Sequence, residues 1–556
     1  MSSQSAVEQL RAVRPDLVEP FHAALDVARS AVLARLWGAF AREPLPGIEG
    51  RHYLGDTLVV MVTDGGQVAG PASAAARFAQ VPPGFVLAGP DGPVGHPSQL
   101  LATLGLSTPG ARRLTAELEN SVVNLALART AGDSSGSVTD SVGAEQAVRD
   151  GHPQHPCCRT RMGMSVAEVL AYAPEYHPTV DLALLAVPVS QWLGSGVWPE
   201  ELREGETVLV PVHPWQRDHV VGGYPELVVT GHTIAARPLL SLRTLAPKHT
   251  LRGCHIKTAL DVQITSRRRN LSPAEVVDGP VLSEFLTGII DKVGYSNRLR
   301  VLSEVGGGAV RIDGRPCASL AAMVRRSTEQ DLAAGETVVP LTAVYATDAA
   351  WVTEDPVHWL TELTELVLPP ALTLMSQGIA LEAHGQNTLV VLHGGRPVRV
   401  LYRDVDGVRL NPARLSANGI ALPTLTGDRV GKDVPALRAK LFGSLLSGTF
   451  SELVTVLART RGVEPGTLWA AVAKVARRAF AALPANSDAE AFFGAVWPLK
   501  ATTAMRLADD PRPARWVDIP NPVYAQQRPA RTCSPRITVK RTASMPDGRS
   551  DESGVT

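Results

Sequence analysis

The sequence predicts an α+β protein of several lobes, and three observations carry that reading. The chain has 556 residues, several times a usual domain of roughly 100–200, so two or three separate cores are expected. Helix-period stretches crowd the two ends, whereas strand-like stretches gather in the middle. A Gly/Ser-rich polar loop, Ala131 to Ser141, supplies a first boundary.

The elements follow in order. Residues 5–43 repeat apolar side chains at helical spacing, and TLVVMVT (Thr57 to Thr63) is a strand candidate. ARRLTAELENSVVNLALART is again helical. Between Ser141 and Asp355, TVLVPVHP, HTIAARPLLS and HIKTALDVQITS are the apparent strands. WLTELTELVLPPALTLMSQG opens the last third as a helix that Pro369 and Pro370 should kink or break. A hairpin, IALEAHGQNTLVVLHGGRPVRVLYRDVDG, follows with GGRP as its turn, and helices dominate from Val434 to Asp509. The expected lobes are 1–140, 141–355 and 356–528. Residues 529–556 are basic, Ser/Thr-rich and poor in large apolar side chains, the composition of a disordered tail.

Bulk composition excludes some functions. The 54 basic and 54 acidic residues cancel, so no general field favours nucleic acid and anion binding must come from local clusters. No stretch approaches the roughly 18–20 uninterrupted apolar residues of a membrane span. The N-terminal MSSQSAVEQLRAVRPDLVEP lacks the apolar core of a secretory signal. Five cysteines, an odd and sparse set, suit reduced thiols. A cytoplasmic protein with no membrane partner is the expectation.

Four segments concentrate polar chemistry. DGHPQHPCCRTRMGMS brings His152, His155, Arg159 and Arg161 into ten residues; guanidiniums donate forked bonds to carboxylate or phosphate oxygens. Two rival readings are a structural loop and a zinc cluster of His152, His155, Cys157 and Cys158, although adjacent cysteines rarely both turn toward one metal. PLLSLRTLAPKHTLRGCHIKTALDVQITSRRRNL holds Ser241, Arg243, Thr244, Lys257, Thr265 and Arg269. In a strand, Ser241 and Arg243 would share a face and form a phosphate clamp, while Arg267, Arg268 and Arg269 also suit a solvated edge. The hairpin carries Glu382, His384, Gln386 and Asn387 at one strand end and Arg403, Asp404 and Asp406 at the other. Glu382, Asn387 and Asp404 are oxygen ligands suited to magnesium beside a nucleotide, or simply polar loops at a sheet end. WPLKATTAMRL places Lys500 and Arg506 in a helical stretch, by itself an ordinary amphipathic surface. EVGGGAV lacks the lysine and spacing of a phosphate-binding loop, and neither a GxSxG elbow nor HExxH occurs.

Taken together, GHPQHPCCRTRMG, VPVHPWQ, SLRT, KTALDVQITSRRR, EAHGQN, YRDVDG and LKATTAMRL resemble the NRPS-independent siderophore synthetases, the aerobactin-synthetase-like family. The motifs stand in the family's order over residues 150–507; nothing before residue 150 matches residue by residue. The resemblance implies a cupped hand of thumb, fingers and palm, commonly a dimer. It implies an ATP-dependent ligase that adenylates a carboxylic acid, with citrate or a citrate or succinyl derivative favoured, and passes the acyl group to an amine or hydroxyl. By motif, Ser241, Arg243, Thr244 and Lys257, with His155, Arg161, Asn387 and Asp404, would meet ATP. Thr265, Arg269, His384 and Arg159 would meet the acid. Glu382, Asn387 and Asp404 would hold Mg2+. Arg243, Lys257, Arg269 and His384 would be the catalytic set. Arg159 stands where the family usually has lysine, and the two cations are not equivalent at such a site. Alternatives from other classes are a kinase-like phosphotransferase and an inactive carboxylate-binding homologue. The first is weakened because Gln386 stands where a catalytic aspartate would be needed.

Overall fold

The computed structural model describes residues 1–77, 79–132, 140–353 and 355–525. Both the expected tail (529–556) and most of the expected boundary loop therefore lie outside the described residues.

Helices begin where the sequence offers a cap followed by proline. Thr108 caps Pro109–Thr130, Ser272 caps Pro273–Lys292, Asp355 caps Pro356–Ser376 and Asp433 caps Val434–Leu441. In each a side-chain oxygen accepts an orphan backbone N–H, and proline occupies the first turn, where no N–H is needed. The helix expected over 5–43 is two, Ser3–Val13 and Val18–Arg42, with a short 3-10 turn at Pro15 between them. These helices pack with Pro109–Thr130 and a five-stranded meander, Ile48 to Val94, around Phe21, Trp37 and Phe40.

A nine-stranded sheet forms the middle of the molecule. From edge to edge it runs Trp192–Gly196, Glu304–Ile312, Arg315–Arg326, Cys254–Thr258, Thr244–Pro247, Val228–Pro238, Val180–Pro188, Thr207–Val212 and Arg203–Glu204. Every neighbouring pair is antiparallel. EVGGGAV lies inside this sheet, where its glycines serve packing. A Cβ at Gly308 would collide with the Trp192 ring, and one at Gly306 with the Val197 backbone. The stretch HIKTALDVQITS is two strands in different sheets: Cys254–Thr258 stays here, and Leu260–Ile264 pairs with Arg161–Met162 and Arg267–Arg269.

The hairpin forms as Thr388–His393 and Arg396–Tyr402, and its turn is tighter than GGRP. His393 already pairs with Arg396, leaving Gly394 (φ 57°) and Gly395 (φ 84°) as a two-residue loop. Both φ values are positive, as a primed turn requires. Gly394→Ala should cost about 1 kcal/mol, the strain of a left-handed Cβ, read as a lower denaturant midpoint with unchanged slope. The leading IALE is not part of the hairpin: Ile379–Ala380 pairs with Arg409–Leu410. The hairpin's sheet also takes Leu299–Val301 and Glu336–Pro340, so it draws strands from both sides of residue 355.

Pro369 and Pro370 do not break their helix, which runs unbroken from Pro356 to Ser376. Leu368, Pro370, Ala371 and Leu372 are buried in the large core shared with Pro465–Ala481, and that packing offsets the lost backbone bonds. The helical run Val434–Arg461 is long and apolar enough to cross a membrane, but 78% of its apolar window is buried against the rest of this lobe.

Candidate active site

Segments from all along the chain line a cleft of about 900 Å³, and all the nominated binding residues are among its lining. The SLRT segment reaches it by a turn, correcting the expectation of a strand. Val228–Pro238 pairs back onto Thr244–Pro247, and Leu242 takes a left-handed φ of 68° between them. Ser241 Oγ accepts the Thr244 N–H (3.2 Å). Ser241 and Arg243 thus converge on the cleft through a strained corner, not through period-two alternation. Arg243 donates to the carbonyls of Arg269 (2.8 Å) and Asn270 (3.0 Å), tying this corner to the Arg267–Arg269 strand.

Lys257 is the electrostatic centre. Its ammonium is 3% exposed and donates to Glu275 (2.7 Å) and Asp404 (3.1 Å). Burial opposes its charge, yet the two carboxylates raise its pKa above the usual lysine value. Asp404 is correspondingly held below the usual carboxylate range: burial is outweighed by Lys257 and Arg243. It follows the hairpin in a left-handed conformation, φ 66°. Glu275 sits in the first turn of Pro273–Lys292, held by its cap.

Facing this group, residues 382–387 form a compact polar turn. The His384 N–H donates to Glu382 O (2.9 Å), and His384 O accepts from Asn387 and Thr388. The His384 imidazole is pushed below its usual pKa by burial, with Glu382 and Asp404 pulling the other way. Glu382 is held at about 2, because Lys440 (2.7 Å), Lys500 and His384 outweigh its burial. Arg269, half-buried, is pushed down to about 10 by burial with Arg243 beside it, and donates to Ile264 O. Thr265 turns between the two strands with φ 60°.

The first motif divides its labour. His155 Nδ1 accepts the Cys157 N–H (3.0 Å), leaving Nε2 buried without a partner at the cleft wall. Arg161 ion-pairs with buried Glu175 (2.9 Å). Arg159 donates to the carbonyls of Arg149 (2.5 Å) and Val148, so most of its guanidinium fork holds backbone. Cys157 and Cys158 turn into the core of the first lobe, toward Glu117 and Ser121. Among the described residues no three His, Cys, Asp or Glu side chains gather as metal ligands would, which disposes of the zinc cluster.

Several roles were not legible. Arg403, beside the Asp404 motif, does not line the cleft: it forms a buried pair with Glu145 (2.5 and 3.0 Å) and holds the Gln386 carbonyl. Lys500 ends the strand Val496–Lys500 and lines the cleft. Only Arg506 is helical, and it pairs with buried Glu117, joining the last lobe to the first. Glu275 and Lys440 were missed because their partners lie 18 and 58 residues away.

An α+β fold with a cation-rich cleft of this composition suits the binding of anionic groups. Residues 140–346 match the IucA / IucC family, and residues 357–513 match the family described as ferric iron reductase FhuF-like transporter. Staphyloferrin A synthase of Staphylococcus aureus is 27% identical over 428 residues, 68% of this chain and 72% of that protein. D-ornithine–citrate ligase of the same organism is 22% identical over 463 residues, 69% and 70% of the two chains. The structure of ATP-bound aerobactin synthetase IucA from Klebsiella pneumoniae superimposes with a TM-score of 0.72 at 19% identity, covering 88% of this chain and 99% of that one. The chain is thus similar to the IucA/IucC family of siderophore synthetases, whose model matches residues 140–346.

Proposed function

We propose that this enzyme uses ATP to adenylate a carboxylic acid, citrate or a citrate or succinyl derivative, and condenses it with an amine or hydroxyl in siderophore biosynthesis. The observation that carries the reading is the convergence of the Ser241–Thr244 corner, Lys257, Arg269 and the His384–Asn387 turn on one cleft. Two anions must approach each other there, and fixed cations offset their repulsion.

In the first step a carboxylate oxygen of the acid attacks the α-phosphorus, and pyrophosphate leaves. Ser241, Thr244 and Arg243 grip phosphate oxygens; Lys257, already shared between Glu275 and Asp404, offers its third donor. His155 Nε2 and Arg161 border the same site. Arg269, Thr265 and His384 hold the acid, with Arg159 behind them fixing the wall. In the second step the amine nitrogen attacks the acyl carbon, the bond to AMP breaks, and the nitrogen gives up a proton. His384, kept neutral by burial, can accept it. The rest of the effect is alignment.

Magnesium fits as a companion of the nucleotide. It commonly uses one or two protein oxygens plus phosphates and waters, and Asp404 with Asn387 supply that pair, whereas Glu382 is bound to Lys440. When bound it would offset phosphate charge. We further propose a cytoplasmic homodimer.

A second reading has one observation behind it: a strand lysine paired with a helix glutamate, Lys257–Glu275, is also the arrangement of kinases. Hydroxylamine trapping with ATP across a panel of acids, separating AMP from ADP, decides between them. Acid-dependent hydroxamate with AMP and pyrophosphate is the expected result. ADP would move the case to phosphotransfer, and no nucleotide turnover to a binding role.

A further inference from the structure

Among the described residues one cleft-lining carboxylate, Glu452, has only neutral side chains as its partners. Glu275 and Asp404 share Lys257, Glu382 has Lys440, Asp406 has Arg429 and Asp428 has Lys432. Glu43 also lacks a cation in contact, but its oxygen accepts the Ala504 N–H (2.8 Å) at the start of a helix. Glu452 lines the cleft at 4% exposure with no lysine or arginine within 4 Å among the described residues. Its partners are neutral donors, Gln154 Nε2 (3.1 Å) and the Tyr345 hydroxyl. Arg77 acts on it only from beyond contact distance. Burial raises its pKa, and a cation seated against it would favour the charged form.

The corner adjoins the reacting groups. Tyr345 also bonds Thr342 (3.0 Å), and a Cβ at Gly385, the residue after His384, would collide with the Tyr345 hydroxyl. Glu452 lies in the first turn of the helix Ser451–Arg461, which directly follows a π-helical stretch, Phe442–Phe450. From that stretch Thr449 donates to the carbonyl of Ala383 (3.1 Å), the residue before His384. Irregular turns of this kind recur at functional sites. Both neighbours of His384 are thus pinned by the elements that carry the Glu452 corner.

Resting on the adenylation reading, we infer that Glu452, with Gln154 and Tyr345, binds the second, non-reacting ammonium of a di- or polyamine acceptor. One amine would then stand at His384 while its partner sits on Glu452. An acceptor with a single amine gains nothing from this corner.

The test compares wild type with Glu452→Gln, which keeps the shape and removes the charge. Putrescine and butylamine serve as acceptors, and hydroxylamine as a small acceptor that cannot reach the corner. Glu452→Gln should keep the hydroxamate rate, raise the KM for putrescine at least tenfold, and leave the KM for butylamine unchanged. An unchanged putrescine KM, or an equal rise for both amines, overturns the proposal. Calorimetric titration of putrescine into wild type and variant is read without turnover, so it separates this inference from the adenylation reading. Binding to wild type that the variant loses supports the corner even if no acid is activated; equal binding, or none to wild type, sinks it. Should Glu452→Gln fail to fold, Gln154→Ala is measured in its place, with a smaller rise confined to putrescine expected and an equal rise for both amines overturning.

Discussion

Lys257→Met should abolish acid-dependent pyrophosphate release, a loss of at least 10³-fold or about 4 kcal/mol of transition-state stabilisation, and should also destabilise the protein. The ammonium is the shared partner of Glu275 and Asp404, and all three are withdrawn from water to different degrees. Removing one partner of a buried ion pair leaves a charge without compensation, typically about 3–5 kcal/mol. Asp404 is partly exposed, so the lower end of that range is expected. The two effects separate in a double variant. Lys257→Met with Glu275→Gln removes the charge left most deeply buried and should recover much of the stability, read by denaturant midpoint, but no activity. A single variant of native stability would show that the triad is not held as described. Recovered turnover in the double variant would show that Lys257 serves the fold and not the chemistry.

What the sequence revealed and what it hid divide along physical lines. Motifs whose residues act from one short segment were legible: the Ser241–Thr244 corner, the His384–Asn387 turn and Asp404 all line the cleft. What failed was the assumption that polar residues near a motif share its destination. Arg403 stands beside Asp404 yet faces Glu145, 258 residues away. Arg159 and Arg161, read as anion forks, are largely occupied by backbone carbonyls and Glu175. Period-two reasoning misplaced Ser241 and Arg243 because a left-handed Leu242 interrupts the strand, and leucine gives no warning of such a φ. Glu275 gave no signal as the partner of Lys257, since long-range pairing leaves no spacing to count. In the fold, the stretches named as strands do carry strands, but Val180–Pro188, Glu304–Ile312 and Arg315–Arg326 were not named, and sheet membership was not legible. HIKTALDVQITS looks continuous although the chain changes sheets at Ala259, where its N–H bonds Ala321.

The second large effect is a pH-dependent change in stability that His213→Asn should isolate. VPVHPWQ looks like site chemistry, yet His213 is fully buried, caps Pro214–His219 by accepting the Trp215 N–H (3.1 Å), and stacks edge-on with Tyr172. Burial alone holds it at about 3, against about 6.5 in an unfolded chain. As pH falls below 6.5 the unfolded state binds a proton that the folded state refuses, so stability declines, by about 2 kcal/mol at pH 5. His255, buried beside Arg325 and also held at about 3, acts in the same direction. Two carboxyls oppose them. Glu43 and Glu304 are raised to about 7 by burial, so the folded state holds their protons and stability is lost as pH rises from 4.5 through 7. Glu382 and Asp404, depressed instead, contribute stability that is lost only as pH falls below about 4. His152 and His155, also pushed down by burial, add to the loss towards pH 5, so the wild-type profile sums many groups and by itself isolates none of them. Asparagine can cap the same helix without titrating, so the difference between variant and wild type reports His213 alone. The variant should gain about 2 kcal/mol relative to wild type on moving from pH 7 to pH 5, measured by denaturant unfolding at each pH. A difference that does not change with pH would mean that His213 becomes protonated in the folded protein, and that its place in the motif is chemical after all.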